Sequence, residues 1–99
     1  MMENFKELIK SDNLVLIDFY ATWCGPCRSM HPILEDLKNE KGNRIRIVKI
    51  DVDKHETLAT ELRIQSIPTL LLYRAGNLLW RQSGAIPLAN LKTVIEKYE

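Results

Sequence analysis

The chain carries two cysteines, Cys24 and Cys27, three positions apart in Trp23-Cys24-Gly25-Pro26-Cys27. Two cysteines scattered at random along such a chain would show this spacing about 2% of the time, so a shared purpose is the better reading. They close too short a loop to staple a fold, which points to chemistry rather than architecture. The chemistry such a pair is suited to is thiol–disulfide exchange, in which a thiolate, not a thiol, is the attacking species. A free cysteine, with a pKa of about 8.5, is mostly protonated at neutral pH and needs help to ionise. An apolar run leads into the pair and a run with helical apolar spacing leads out, so Cys24 stands just before a helix that Pro26 helps to start. Unpaired backbone N–H groups and the positive helix end would stabilise its thiolate. Cys27 lies one turn inside, where a three-residue separation brings the Cα atoms roughly 5–6 Å apart, inside the disulfide window. Cys24 is expected to attack and Cys27 to resolve. The competing use is zinc, which wants four ligands. His31, four residues beyond Cys27, could supply a third, but beyond it only His55 and carboxylates remain and no second Cys/His pair completes the set.

The elements that must position this pair follow from hydropathy. Leu14-Val15-Leu16-Ile17-Asp18-Phe19-Tyr20 is apolar on both faces apart from Asp18, as a central strand covered on both sides would be. Residues 26–41 read as a helix with Met30, Ile33, Leu34 and Leu37 on one stripe, Pro32 as an internal kink and Gly42-Asn43 as its stop. Ahead of these, residues 3–11 read as a short amphipathic helix through Phe5, Leu8 and Ile9, ended by Ser11-Asp12-Asn13. Residues 45–52 form a second strand and 55–63 a short helix. Residues 69–73 and 78–82 are two more strands, joined as a hairpin through Ala75-Gly76-Asn77. Pro87 suits the first turn of a last helix with Leu88, Leu91, Val94 and Ile95 on its apolar face. The order is α-β-α-β-α-β-β-α, with the first two strands parallel through a right-handed crossover and the last two antiparallel.

At 99 residues, 45% hydrophobic and 27% charged, the chain reads as one globular domain spanning 1–99. A net charge of +1 gives no reason to expect nucleic acid or an anionic membrane. No apolar run approaches the roughly 18 residues of a membrane span. The opening Met1-Met2-Glu3-Asn4-Phe5-Lys6 lacks the apolar core of a secretory signal, so a cytoplasmic location is expected.

Trp23-Cys24-Gly25-Pro26-Cys27, the preceding Val15-Leu16-Ile17-Asp18-Phe19-Tyr20-Ala21 and the later Ile67-Pro68-Thr69 together resemble the thioredoxin family, and the resemblance runs from residue 5 to 98. It implies a thioredoxin fold of the α/β class: a central mixed sheet of about four strands with helices on both faces. It implies a protein-disulfide reductase and electron carrier in cell redox homeostasis, acting on disulfide-containing proteins; a monomer is the default expectation. Thioredoxin reductase would recharge it with electrons from NADPH, and the chain itself would hold neither cofactor nor metal. Gly-Pro between the cysteines is the family's reducing version; oxidant and isomerase relatives usually carry a histidine there. A dedicated partner enzyme of the same fold, or a binding module that uses the surface around the dithiol without turnover, are the alternative readings.

The remaining candidates surround the dithiol. Asp18, the one charge in its strand, should be buried with a raised pKa and so be able to take the proton of Cys27; the family match assigns it that role. Lys49, across adjacent strands, is placed to pair with Asp18 and restrain its pKa. Spacing alone would make the Ile67–Pro68 bond trans, since only about 5–6% of such bonds are cis; the resemblance implies cis, with Pro68 facing the dithiol. Trp23 is either an exposed contact or a packed aromatic. Gly84 and Ala85 match a small-residue loop that lies against protein substrates in the family. With Gly25, Pro26, Ile67 and Pro68 they would make an apolar collar for a strand-like peptide. Arg28 and His31 read as surface. One departure is expected: the strand that typically opens this fold should be absent here, or shrunk to Met1-Met2-Glu3.

Overall fold

The structure, a computed structural model, describes residues 4–99. Four strands, β1 (Leu14–Tyr20), β2 (Ile45–Asp51), β3 (Thr69–Arg74) and β4 (Asn77–Ser83), form one mixed sheet in the order β2-β1-β3-β4. Among the described residues four α-helices accompany them, α1 (Phe5–Leu8), α2 (Gly25–Lys41), α3 (Glu56–Glu61) and α4 (Leu88–Tyr98), with a short 3-10 turn (Gly42–Arg44) after α2. β1 and β2 run parallel, as two strands joined through a helix must, and β3 is antiparallel to both β1 and β4. The opening strand of the expectation falls on residues 1–3, outside those described.

Side-chain alternation along β1 divides the interior. Leu14 and Leu16 join Leu70 and Leu72 of β3 on one face, under Met30, Leu34 and Leu37 of α2 and Leu91 and Ile95 of α4. Val15, Ile17 and Phe19 join Leu71 and Tyr73 on the other, under Phe5 and Ile9 and Leu58 of α3. Residues of both faces are almost fully buried, which is why β1 reads as apolar throughout. Asp18 shares the parity of Leu14 and Leu16 and therefore points toward α2.

Several boundaries differ from the sequence reading, each for a local reason. α1 is a single turn, not a helix over 3–11: the Lys10 N–H donates to the Glu7 carbonyl at three-residue reach (3.2 Å), and the chain tightens out of α geometry. α3 stops at Glu61 because Arg63 takes φ +56°; its N–H reaches the Thr60 carbonyl and that of Ile64 the Ala59 carbonyl, a Schellman close with arginine where glycine usually stands. The hairpin turn is two residues, Ala75-Gly76, both at positive φ (+52° and +83°), and Asn77 already pairs with Arg74 in the sheet. A bulge between Leu72 and Tyr73 in the β3–β4 register leaves Leu79 extra. Pro87 caps α4 from an extended conformation (φ −63°, ψ 151°) rather than opening its first turn.

Candidate active site: a dithiol at a helix N-terminus

β1 ends at Tyr20 and delivers the chain to Ala21, whose carbonyl accepts from the Cys24 N–H (3.2 Å). This turn sets Cys24 in extended geometry as the N-cap of α2, with Gly25 and Pro26 as the first helical residues. Proline is suited to this first turn, where its missing N–H would have had no helical partner. The cysteines are disulfide-bonded, with Cα atoms 5.3 Å apart. Cys27 is fully buried (0% exposed) and Cys24 lies at the rim (5%), in a small cluster with Ala21 against Tyr20, Val52 and Ile67. The Cys27 N–H donates to Cys24 Sγ at 3.2 Å. A backbone donor and the positive end of a seventeen-residue helix thus converge on the outer sulfur, the environment that favours its thiolate.

Beneath α2, Asp18 is fully buried, and its carboxylate oxygens have no hydrogen-bond partner among the described residues. Burial raises its pKa from 3.8 to about 6, and the Lys49 charge restrains the rise. The parallel register sets Asp18 level with Lys49. The expected pairing takes a weaker form: with Asp18 unbonded and Lys49 exposed, the lysine acts through space rather than as a contact ion pair.

Other loops close around the rim. The Ile67–Pro68 peptide is cis, as the family resemblance implied, and the Ile67 carbonyl oxygen lies 3.9 Å from Cys24 Sγ. The Gly84 N–H donates to the Pro68 carbonyl at 2.8 Å, and Gly84 holds φ +94°, a conformation that side-chain-bearing residues rarely adopt. Gly84 and Ala85 are exposed, as are Gly25 and Pro26, while Ile67 is half-buried and Pro68 buried. Trp23 is 67% exposed, and its Nε1–H donates to Asp53 Oδ2 at 2.8 Å. Among the described residues no group of three His, Cys, Asp or Glu side chains is placed to hold a metal ion.

The chain matches the Thioredoxin family model over residues 1–97. It belongs to the thioredoxin family. It is 41% identical to a thioredoxin of Pyropia yezoensis over 96 residues, covering 96% of this chain and 90% of the relative. A thioredoxin-like protein of Synechocystis is 47% identical over 89 residues, covering 89% of this chain and 85% of the relative. The oxidised form of mitochondrial thioredoxin 3 from Saccharomyces cerevisiae superposes with a TM-score of 0.86 at 38% identity, over 95% of this chain and 87% of that one. Thioredoxins are thiol–disulfide oxidoreductases, and the bonded Cys24–Cys27 pair gives this chain the means to be one.

One thioredoxin residue near the dithiol sits differently from the sequence reading. His31 is not a surface residue. It is half-buried, its ring stands edge-on to Tyr20 (centroids 5.7 Å apart), and its Nε2 is buried without a partner among the described residues. Burial lowers its pKa, and the Lys49 charge lowers it further, against Glu35. Arg28 is exposed as expected, but it reaches back across the turn, with Nη2 donating to the Thr22 carbonyl (3.1 Å). Asp53, the partner of Trp23, went unnoticed in the sequence. The cue was Asp51-Val52-Asp53 at a strand end, an Asx turn in which the Asp53 N–H donates to Asp51 Oδ1 (2.9 Å).

Proposed function

We propose that this protein is a general protein-disulfide reductase and electron carrier. The Cys24 thiolate attacks a substrate disulfide, forming a mixed disulfide and releasing one substrate thiolate. Cys27 gives its proton to Asp18 and attacks Cys24 Sγ. The second substrate thiolate leaves, and the Cys24–Cys27 disulfide holds the oxidation removed from the substrate. Thioredoxin reductase returns two electrons, drawn from NADPH, and restores the dithiol. The observation that carries the reading is the asymmetry of the pair: a rim sulfur that receives a helix N–H, backed by a fully buried one.

Asp18, with a pKa raised to about 6, is largely ionised at neutral pH and can accept a thiol proton. Lys49 keeps it from rising further. Trp23, Gly25, Pro26, Ile67, Pro68, Gly84 and Ala85 form the collar that receives an extended peptide around the target disulfide. The chain works as a monomer in the cytoplasm, with disulfide-containing proteins and the reductase as its partners and no bound cofactor of its own. The Gly25-Pro26 pair, with no histidine between the cysteines, supports a reductant over an oxidant.

The test is the equilibrium reduction potential of the Cys24–Cys27 pair against a dithiothreitol or glutathione buffer. A potential near that of thioredoxin, about −270 mV, supports an electron donor; one at about −120 to −180 mV identifies an oxidant or isomerase and overturns the proposal.

A further inference from the structure

Two of the loops around the dithiol are joined by a chain of hydroxyls. Thr69 is fully buried, and its Oγ1 donates to the Ser66 carbonyl at 2.6 Å. The same Oγ1 lies 2.9 Å from Ser83 Oγ. A threonine hydroxyl has one proton. With that proton on the Ser66 carbonyl, Ser83 must be the donor in the second bond. The order is therefore Ser83 O–H to Thr69 Oγ1, and Thr69 O–H to the Ser66 carbonyl. Thr69 and Ser83 are also register partners at the ends of β3 and β4. One residue beyond Ser83, the Gly84 N–H meets the Pro68 carbonyl (2.8 Å). These two links bridge the segment that carries Ser66, Ile67 and Pro68 to the one that carries Gly84 and Ala85.

We infer that Ser83 is a positioning residue that sets the spacing between the Pro68 and Gly84 loops and so selects for protein over small-molecule disulfides. This rests on the reading above, in which those loops hold a peptide and Cys24 does the chemistry. Among the hydrogen bonds of the described residues, the Ser83 hydroxyl meets Thr69 and not a sulfur. It acts by holding Thr69, which in turn fixes the carbonyl just ahead of Ile67-Pro68. Without it the loops keep the Gly84–Pro68 bond and the backbone ladder that begins at Thr69 and Ser83, but lose the side-chain link that reaches the Ser66 carbonyl. A peptide lying across both loops would meet a collar of less defined width, whereas a small disulfide that meets Cys24 alone would not sense the change.

The experiment compares wild type with Ser83→Ala and Ser83→Thr, on insulin as the protein disulfide and 5,5′-dithiobis(2-nitrobenzoate) as the small one, with Cys24→Ser as a control. Ser83→Ala should raise the KM for insulin, by at most about 5-fold if the whole of the lost hydrogen bond is felt by the bound peptide, with kcat and the small-disulfide rate held. Ser83→Thr, which keeps the hydroxyl, restores the insulin KM. An unchanged insulin KM, a proportional fall on both substrates, or no rescue by threonine overturns the inference while leaving the disulfide-reductase reading standing. Turnover by Cys24→Ser would instead overturn that reading, and this inference with it.

Discussion

Asp18→Asn should remove a pH dependence from the stability of the protein. Folding raises the Asp18 pKa from 3.8 to about 6. A raised acid pKa means that the folded chain holds the proton more tightly than the unfolded one. The associated stability is therefore fully present below pH 3.8 and is lost as pH climbs through 6. The loss approaches about 3 kcal/mol at pH 8 and is about half that at pH 5. Asparagine has nearly the same shape and no charge to desolvate, so the two proteins should match within about 1 kcal/mol at pH 4 and diverge above it. For a domain of this size, the divergence at pH 8 corresponds to roughly 10–20 °C in Tm. The assay is thermal or guanidinium unfolding of the disulfide-bonded forms from pH 4 to 8, where neither cysteine titrates and the other ionisable groups largely cancel between the two proteins. A Tm gap that does not grow with pH, or an Asp18→Asn variant less stable than wild type at pH 8, would refute the assignment of a desolvated carboxylate. On the kinetic side, the same variant should slow the resolving step at neutral pH by at least about 10-fold if Asp18 takes the Cys27 proton.

Three further outcomes are expected. Cys27→Ser should accumulate mixed disulfides with protein substrates through Cys24, and Cys24→Ser should abolish turnover; non-reducing electrophoresis reads both, and wild-type turnover by Cys27→Ser would reverse the assigned roles. Arg63→Gly should stabilise the fold by about 1 kcal/mol in chemical denaturation, since glycine occupies φ +56° without the strain arginine bears there. The Arg81 guanidinium bonds to the Leu62 and Arg63 carbonyls (2.6 and 2.7 Å) remain available to the variant, because they use the backbone. The His31 ring should titrate below 6.5 by NMR, because burial and Lys49 oppose its protonation. The sign is opposite to that of Asp18: the stability tied to neutral His31 is present above pH 6.5 and lost as pH falls through the depressed value.

What could be read from the chain was what depends on pattern and spacing. The β1 run, the α2 stripe and the cysteine pair are periodic or local features, and the structure keeps them within a residue or two. Asp18 was legible because a lone charge in a strand apolar on both faces has nowhere else to go. The misses share a different cause. The turn that ends α3 uses Arg63, where composition leads one to look for glycine or asparagine, and the hairpin read as Ala75-Gly76-Asn77 closes on Ala75-Gly76 alone, with Asn77 already in the sheet. His31 looked like surface because α2 presents it beside exposed Arg28 and Pro32, and only the fold brings Tyr20 against it. Asp53 and Ser83 act through partners 30 and 14 positions away, distances over which periodicity carries no information.

The hairpin turn has a consequence for how the molecule opens. Ala75 and Gly76 donate their N–H groups to the Ser11 and Ile9 carbonyls, each at 2.8 Å, and thereby anchor a single-turn α1 that could not hold its shape alone. The antiparallel register puts this turn at the Leu14 end of β1, whereas the dithiol follows Tyr20 at the other. The α1 segment and the hairpin tip are therefore expected to open together, at the cost of uncovering Phe5 and Ile9, from the end of the sheet remote from Cys24. Amide hydrogen exchange should find Ala75 and Gly76 opening together, at a free energy below that of the β1 amides.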